Sequence, residues 1–315
     1  MRSVFFGTPA IACPSLKALD ALTEVVAVVT QPDRPSGRGL KVQAPEVKVL
    51  AEKLDLTVYQ PKKVRDRAFR EWLTGLEADI AVVIAYGRIL PGPVLAAPRL
   101  GCLNLHASIL PRYRGAAPIN WAIARGETQT GVSLMQMDEG MDTGPVFSVH
   151  TLAIGAEETA GELYVRLGAL AAEVVERDLP RILDGDLHAS PQDDTEATMA
   201  PMLNKEAGRI AWARPAHEVS AHMRGMMPWP GAFTERAGKR LRITQLAVPS
   251  VVASDEAAPG TITDIDQEAA TVACAEGSVR LAVVQLAGKK ALTPHQLVQG
   301  RQLAVGDRLG EAEGS

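Results

Sequence analysis

Cysteine is scarce in this chain, and long apolar runs are absent from it. Cys13, Cys102 and Cys274 are odd in number and far apart along the 315 residues. Their spacing forms neither a metal site nor a disulfide framework, so we expect no metal and a reducing compartment. No run approaches the ~18 apolar residues of a membrane helix. The apolar run at the start of the chain is too short for a secretory signal. The sequence therefore predicts a cytoplasmic protein.

An excess of positive charge is also lacking. Lys and Arg number 33 against 37 Asp and Glu, which gives a formal net charge of −4. A protein that holds a polyanion usually presents a basic surface, so any bound RNA would need a local basic patch. The Gly7-Thr8-Pro9 turn lacks the further glycines of a dinucleotide fingerprint, which argues against binding of NAD.

The first half of the chain alternates β-branched apolar runs with helical patterns. The runs at 24–30 and 78–85 show little polar alternation, which is typical of strands buried on both faces. Alternation of strands and helices predicts an α/β fold, with a Rossmann-like parallel sheet covered by helices on both faces. The segment 160–183 has the pattern of one long closing helix, which we expect to break or end near Pro180.

The composition changes near residue 186. The stretch 186–204 is polar and lacks apolar periodicity, which indicates a linker. Short strand candidates with turn residues between them follow, and they predict a small β-barrel that resembles the oligonucleotide-binding (OB) fold. We therefore expect a catalytic α/β domain over residues 1–187, a linker over 188–204 and a C-terminal β-barrel domain over 205–315.

The segment 101–111 contains the first candidate site. Side chains alternate along a strand, so Asn104 and His106 would lie on one face, roughly 6.5–7 Å apart. Ligands bind outside the carboxyl ends of strands in open α/β sheets. An amide donor there could stabilise a developing oxyanion, and an imidazole could carry protons near neutral pH. A strand cap and a structural histidine are the alternative interpretation, which the pattern alone leaves open.

An acidic, glycine-rich loop at 137–144 follows another strand candidate. Asp142 in this loop could reach back to His106 and orient the imidazole. The alternative is that Asp138 and Asp142 only close the turn through hydrogen bonds. The spacing does not decide between these two interpretations.

Several motifs, in order, resemble the folate-dependent formyltransferase family. That family carries an Asn-x-His-x-Ser motif, a Leu-Leu-Pro-like stretch and a later Asp-Thr-Gly loop, matched here at 104–111 and 142–144. The resemblance implies formyl transfer from 10-formyltetrahydrofolate without a metal. It implies that the catalytic residues are Asn104, His106 and Asp142. It implies that the folate-binding residues include Ser108, Ile109, Leu110 and Pro111.

A second stretch, 85–91, resembles the part of the family that lines the pteridine pocket. The resemblance extends the folate site to Arg88, Ile89 and Leu90. A turn that leads into a helix is the alternative interpretation of this stretch.

The loop at 30–41 bears on the acceptor of the formyl group. It is rich in Gly and Pro and carries Arg34, Arg38 and Lys41. It closely resembles the loop with which the tRNA-acting members of the family engage the acceptor stem. The resemblance implies initiator methionyl-tRNA as partner, with Arg38 as the key contact. A solvated charged loop is the alternative for these cations.

The second part of the chain also resembles this family, through the Pro-Trp-Pro-Gly-Ala element at 228–232. We interpret Trp229 as a buried aromatic in a rigid turn, without a role in catalysis. Basic side chains could give the barrel an RNA-binding face, although a solvated position is the alternative for each one. These cations are Arg236, Lys239, Arg240, Arg242, Lys289 and Lys290.

Two other hypotheses remain at this stage. One is a formyltransferase that acts on an amino sugar nucleotide, and the other is a non-catalytic RNA-binding relative. The sequence shows no strong self-association surface, so we expect a monomer.

Overall fold

A computed structural model of the chain describes residues 1–36, 41–253 and 257–310. The chain folds into two compact units. The first comprises residues 1–118, 130–153 and 164–201. The second comprises residues 119–129 and 154–163 and the described residues from 202 onwards. The domain boundaries predicted from the sequence, with a linker over 188–204, stay a proposal.

The described residues form the following regular elements. The strands are β1 (Arg2–Gly7), β2 (Glu24–Val29), β3 (Arg34–Ser36), β4 (Lys41–Gln43), β5 (Val58–Tyr59), β6 (Ile80–Ile84), β7 (Cys102–His106), β8 (Gln129–Gln136), β9 (Val146–Ala153), β10 (Phe233–Arg236), β11 (Lys239–Val252), β12 (Ile262–Ile265), β13 (Ala270–Ala273), β14 (Ser278–Leu286) and β15 (Ala291–Leu292). The α-helices are α1 (Cys13–Leu22), α2 (Glu46–Lys53), α3 (Arg67–Gly75), α4 (Gly92–Leu95), α5 (Pro118–Ala124), α6 (Ala160–Leu183), α7 (Ala216–Gly225) and α8 (Pro294–Gln299). Short 3-10 helices occupy Ala10–Ala12, Asp194–Glu196 and Lys205–Gly208.

The first unit is built on a seven-stranded sheet with the order β5-β2-β1-β6-β7-β8-β9. The strands from β5 to β7 pair in parallel, whereas β8 runs antiparallel to β7. The direction of strand order reverses between β1 and β6, and ligands bind near such a point in open α/β sheets. The predicted α/β fold with a Rossmann-like parallel sheet is confirmed, and the antiparallel β8 is an addition to it.

The core of this unit follows from the apolar strands. All five residues of β6 are buried, because side chains on both faces of this central strand meet other apolar groups. On one face, Phe69 and Leu73 from α3 and Val94 from α4 pack over the sheet, each 1% exposed. Burial of a side chain of this size contributes about 1.5–3 kcal/mol to the free energy of folding. Packing of this kind fixes β6 and β7, the strands that lead to the candidate site.

Helix α6 differs from its prediction. It continues through Pro180 to Leu183, where we expected a break or an end. Proline removes one backbone hydrogen bond and crowds the carbonyl four residues earlier. Pro180 lies close to the carboxyl end of the helix, so few residues follow the disturbed turn and the helix is retained.

The second unit contains a six-stranded antiparallel sheet. Its order is β10-β11-β14-β13-β12, with β15 paired to β14. Strand β11 is 14 residues long and carries register shifts between Ile243 and Val251, and such bulges bend a strand and increase its twist. The C-terminal domain, predicted as a small OB-like β-barrel, is confirmed as a curled antiparallel sheet.

Trp229 does not occupy the buried position that we interpreted for it. Its side chain is 56% exposed, whereas Met226 beside it is fully buried. Backbone carbonyls of the turn accept hydrogen bonds from side chains, as Pro228 does from Arg242 Nη2 at 2.7 Å and Trp229 itself from Asn120 Nδ2 at 3.4 Å. The rigid turn is therefore present, but the interpretation of a buried indole was wrong.

Candidate active site

Strand β7 presents the two polar residues that the sequence analysis placed on one face. Asn104 and His106 are two residues apart on the strand, and they are 9% and 6% exposed. The parallel neighbour β6 fixes their position through the pair Val83 and Asn104. Among the residues that the structure describes, none makes a hydrogen bond to the Asn104 side chain. Its amide is therefore available as a donor for a ligand.

A backbone carbonyl holds the His106 ring. The Nε2 atom lies 2.9 Å from the carbonyl oxygen of Tyr113, and because a carbonyl only accepts, Nε2 donates. The other ring nitrogen, Nδ1, faces Asp142 Oδ2 at 3.6 Å. This separation exceeds a hydrogen bond but still allows a charge interaction. The bond to Tyr113 orients the imidazole, and Asp142 faces the nitrogen that can gain or lose a proton.

Asp142 reaches His106 by a path that the sequence did not indicate. Because β8 is antiparallel, the loop after it starts at the amino end of β7, where the Met137 amide donates to the carbonyl of Cys102 at 2.8 Å. The four steps from Cys102 to His106 span about 13 Å along the strand. The loop runs back over that length and brings Asp142 beside His106.

Glycine at two positions makes this arrangement possible. Gly115 has φ of 120°, and its amide donates to Asp142 Oδ2 at 2.8 Å. A Cβ atom at Gly115 would lie 2.8 Å from the carbonyl oxygen of Ala200. A Cβ atom at Gly144 would collide with the backbone oxygen of Gln136. Larger residues would therefore displace the segments that hold Asp142.

A cavity lies next to Asp142, between the loop at 137–145 and the segment after β6. Three of its lining residues, Arg88, Ile89 and Leu90, are predicted folate contacts. Thioether side chains supply much of the remaining wall. The full lining consists of Arg88, Ile89, Leu90, Met135, Met137, Asp138, Gly140, Met141 and Asp142. A lining that combines apolar side chains with two carboxylates and a guanidinium suits a flat heterocycle that carries polar groups.

The other predicted folate residues, 108–111, do not line this cavity. The Ser108 hydroxyl is buried and donates to the carbonyl of Arg112 at 2.6 Å. The Leu110 amide donates to Ser133 Oγ at 3.0 Å, and this hydroxyl donates to the carbonyl of Ser108 at 2.7 Å. The segment forms a turn between β7 and Tyr113, and the folate role of Ser108, Ile109, Leu110 and Pro111 stays a prediction.

The predicted tRNA-binding loop is described only in part. Arg34 is exposed, and its Nη2 donates to Gln31 Oε1 at 3.1 Å. The same oxygen accepts from Arg88 Nε at 2.9 Å, so buried Gln31 joins the loop to the cavity wall. Arg38 lies outside the described residues, and so does the side chain of Lys41.

The described residues hold no group of three or more His, Cys, Asp or Glu side chains that could bind a metal. Burial raises the pKa of Cys102 to about 12 and also raises that of Cys274 to about 12, so neither thiol ionises near neutral pH. Within the described ranges, no helix combines the length and apolar character needed to cross a bilayer.

Sequence reasoning missed the residues that position His106 and Asp142. Tyr113 orients His106 and Gly115 binds Asp142, both through backbone groups that carry no residue-specific signal. Gln192 donates to two carbonyls of the Asp142 loop and accepts from Arg114. It lies in the polar stretch interpreted as a linker, where its contacts depend on a segment about 50 residues away.

The chain matches the formyl transferase family over residues 1–179 and the formyl transferase C-terminal domain over residues 202–302. It is similar to a methionyl-tRNA formyltransferase of Sorangium cellulosum, with 56% identity over 98% of this chain and 100% of the relative. It is also similar to a methionyl-tRNA formyltransferase of Myxococcus xanthus, with 46% identity over 98% of this chain and 97% of the relative.

A solved structure shares the fold at low sequence identity. It is an N-formyltransferase from Helicobacter canadensis in complex with folinic acid and dTDP-3-aminofucose. The TM-score is 0.68 at 17% identity, and the match covers 90% of this chain and 98% of that one.

Proposed function

The chain belongs to the formyl transferase family, and from that membership we propose that it transfers a formyl group from 10-formyltetrahydrofolate to the α-amino group of initiator methionyl-tRNA. The observation that carries this proposal is the 56% identity to a methionyl-tRNA formyltransferase over nearly the full length of both chains. The solved structure that binds an amino sugar nucleotide is only 17% identical, so it supports the fold and not that acceptor.

The cavity beside Asp142 is the proposed folate site. Ile89, Leu90 and the thioether of Met135 offer apolar contacts to a flat ring, and Asp138 can accept from ring N–H groups. When bound there, the folate supplies the formyl carbon. Residues 108–111 and Arg88 complete the proposed set of folate contacts. Arg34, Arg38 and Lys41 are the proposed tRNA contacts, together with the second unit.

The polar cluster of Asn104, His106 and Asp142 can perform the chemistry without a metal. The unprotonated methionyl amine forms a C–N bond with the formyl carbon, and negative charge grows on the formyl oxygen. The Asn104 amide is free to donate to that oxygen, because no described residue accepts from it. His106 Nδ1, beside the Asp142 carboxylate, accepts the proton that the attacking amine loses. The bond from carbon to the folate nitrogen N10 then breaks as the oxyanion re-forms the carbonyl, and N10 takes up the proton from His106, which returns to its neutral form.

One experiment tests the proposed function. Purified protein is mixed with methionyl initiator tRNA and 10-formyltetrahydrofolate, and formylmethionine on the tRNA is measured. We expect formylation that requires both substrates. Turnover only with an amino sugar nucleotide, or tight binding of tRNA without turnover, would contradict the proposal.

We also propose that the protein acts as a cytoplasmic monomer, and that its catalytic domain, linker and tRNA-binding domain are residues 1–187, 188–204 and 205–315. Light scattering at assay concentration measures the mass of the particle. The mass of a single 33.5 kDa chain is expected, and twice that mass would contradict it.

A further inference from the structure

Gln192 lies in the stretch predicted as a linker, and its side chain contacts the loop that carries Asp142. Its Nε2 donates to the carbonyl of Asp142 at 2.8 Å and to that of Gly144 at 2.7 Å. Its Oε1 accepts from Arg114, from Nε at 3.1 Å and from Nη2 at 2.8 Å. A glutamine side chain offers two N–H donors and one carbonyl, so all its polar groups are engaged. The opposite orientation of the amide would place its oxygen against two carbonyls.

Arg114, the donor to Gln192, is itself held in place. Its side chain is 7% exposed, and Nη2 pairs with Asp194 at 2.7 Å. Its backbone amide donates to the carbonyl of Thr198 at 2.8 Å, and its carbonyl accepts from the Ala200 amide at 2.7 Å. Gly115, the next residue, donates to the Asp142 carboxylate. Gln192 therefore connects a fixed segment to the Asp142 loop.

Asp142 adopts a backbone conformation that needs support. Its φ is 55°, in the left-handed region, which costs an L-residue roughly 1–2 kcal/mol. Such conformations persist where surrounding contacts fix them. Gln192 fixes the carbonyl of Asp142, and the Gly115 amide fixes its carboxylate. Loss of either contact would allow the loop to relax and move the carboxylate away from His106.

We propose that Gln192 is a positioning residue that acts through Asp142: it holds the backbone at 142–144 so that the carboxylate faces His106 Nδ1. The kinetic part of this inference rests on the proposed function. The structural part, the dependence of the Asp142 loop on Gln192, does not.

The test uses Gln192→Glu, which keeps the length of the side chain and an acceptor for Arg114. A carboxylate cannot donate, so it would repel the carbonyls of Asp142 and Gly144. We expect kcat for formylation to fall about 100-fold, the effect of a misplacement of about 1 Å, with KM for methionyl-tRNA unchanged. We also expect faster hydrogen exchange at the Gly115 amide, because its acceptor moves away. Glu196→Gln, an exposed change in the same segment, is the control and should alter neither quantity.

A double variant separates positioning from general destabilisation. If Gln192 acts through Asp142, Gln192→Glu should lower kcat no further in an Asp142→Asn background. Equal losses of kcat in both backgrounds would overturn the proposal. It would also be overturned if Gln192→Glu alone left both kcat and hydrogen exchange at Gly115 at their wild-type values. If the Glu variant does not fold, Gln192→Met has the same length without charge and replaces it. If the wild type lacks turnover, the proposed function fails, and exchange at Gly115 still decides the role of Gln192.

Discussion

Two polar regions of the chain differ in whether their polar side chains are paired with one another. The polar cluster of the first unit keeps Asn104 without a side-chain partner among described residues and sets Asp142 3.6 Å from His106. The second unit has an ion-pair face, which we define as Glu206, Arg209, Glu235 and Arg240. There Arg209 pairs with Glu235 at 3.0 Å, and Arg240 pairs with Glu206 at 3.0 Å. Polar groups left available for a ligand indicate a reactive site, whereas mutually paired charges indicate a structural one.

The ion-pair face also shows why a count of cations is a poor guide to RNA binding. The Arg240 guanidinium lies 3.6 Å from the centre of the Phe233 ring, and that of Arg209 lies 5.1 Å from it. The hydrogen bond with Glu235 raises the pKa of Arg209 above its ordinary value. Arg236 likewise pairs with Asp307 at 2.8 Å. These arginines already have partners within their own unit, so an RNA phosphate would have to compete with carboxylates for them.

The largest effect is expected from substitutions in the polar cluster of the first unit. Asn104→Ala should lower kcat/KM for formylation about 100- to 1000-fold, the cost of removing one donor to a developing oxyanion. His106→Ala should lower it about 100- to 10,000-fold, the cost of losing a positioned general base. Steady-state kinetics with methionyl initiator tRNA measure the loss. Arg240→Ala, in the ion-pair face, is the control and should retain the wild-type kcat. Near-wild-type rates in both Asn104 and His106 variants would remove the polar cluster from the mechanism.

A pair of glycine substitutions tests how rigidly the reactive site is held. Gly115→Ala should lower the free energy of unfolding by about 2–4 kcal/mol, because a positive φ and a close backbone oxygen both oppose the new Cβ. Gly126 also has positive φ, 76°, but open space around its Cβ position. Gly126→Ala should therefore cost only about 1–2 kcal/mol. Denaturant unfolding measures both, and equal losses would contradict a tight contact at Gly115.

Asp178 is a buried aspartate of the first unit whose carboxylate already has hydrogen-bond partners. It is 1% exposed and accepts hydrogen bonds from Ser148 Oγ and His150 Nε2, both at 2.6 Å. Asp178→Ala leaves these donors without their acceptor and should lower the free energy of unfolding by about 1–3 kcal/mol, with kcat unchanged. Thermal unfolding together with the formylation assay checks both parts. A loss of kcat without a loss of stability would place Asp178 in the reactive site instead.

The stabilisation by Asp178 should also depend on pH. Burial raises the pKa of its carboxyl, but hydrogen bonds from Ser148 and His150, together with nearby positive charge that includes Arg177, outweigh burial and hold the pKa below its ordinary value. A folded-state pKa below the unfolded one adds stability at pH values above the unfolded pKa, near 3.9, and this contribution is lost as pH falls through the folded value. The difference in unfolding free energy between the wild type and Asp178→Asn should therefore shrink in that acidic range. A constant difference down to low pH would show that ionisation of Asp178 adds nothing.

The smallest effect is expected in the ion-pair face. A double-mutant cycle of Arg240→Ala and Glu206→Ala should give a coupling energy of about 0.2–1 kcal/mol, because both side chains are exposed to solvent, by 44% and 62%. The coupling should weaken at high salt, since ions screen exposed charges. Unfolding of the four proteins at two salt concentrations measures it. A coupling well above this range would mean that the face is less solvated than its exposure indicates.

Much of the fold follows from local pattern, and the exceptions share one cause. The apolar runs at β2 and β6 predict buried strands, and alternation along β7 puts Asn104 and His106 on one face. The antiparallel direction of β8 was not predicted, because a strand has the same side-chain period in either direction. The burial of Trp229 was wrongly interpreted, since an aromatic between prolines is rigid whether its ring faces the core or solvent.

The sequence by itself determined which residue types can act: an amide and an imidazole two residues apart on a strand, a later aspartate between glycines, and apolar strands to hold them. Only the tertiary structure decided which groups meet. Tyr113, Gly115 and Gln192 contact the polar cluster because the chain folds back on itself, and Gln192 is 50 residues from Asp142. Periodicity reports the neighbours along one element, whereas contacts of this separation depend on the packing of the whole unit.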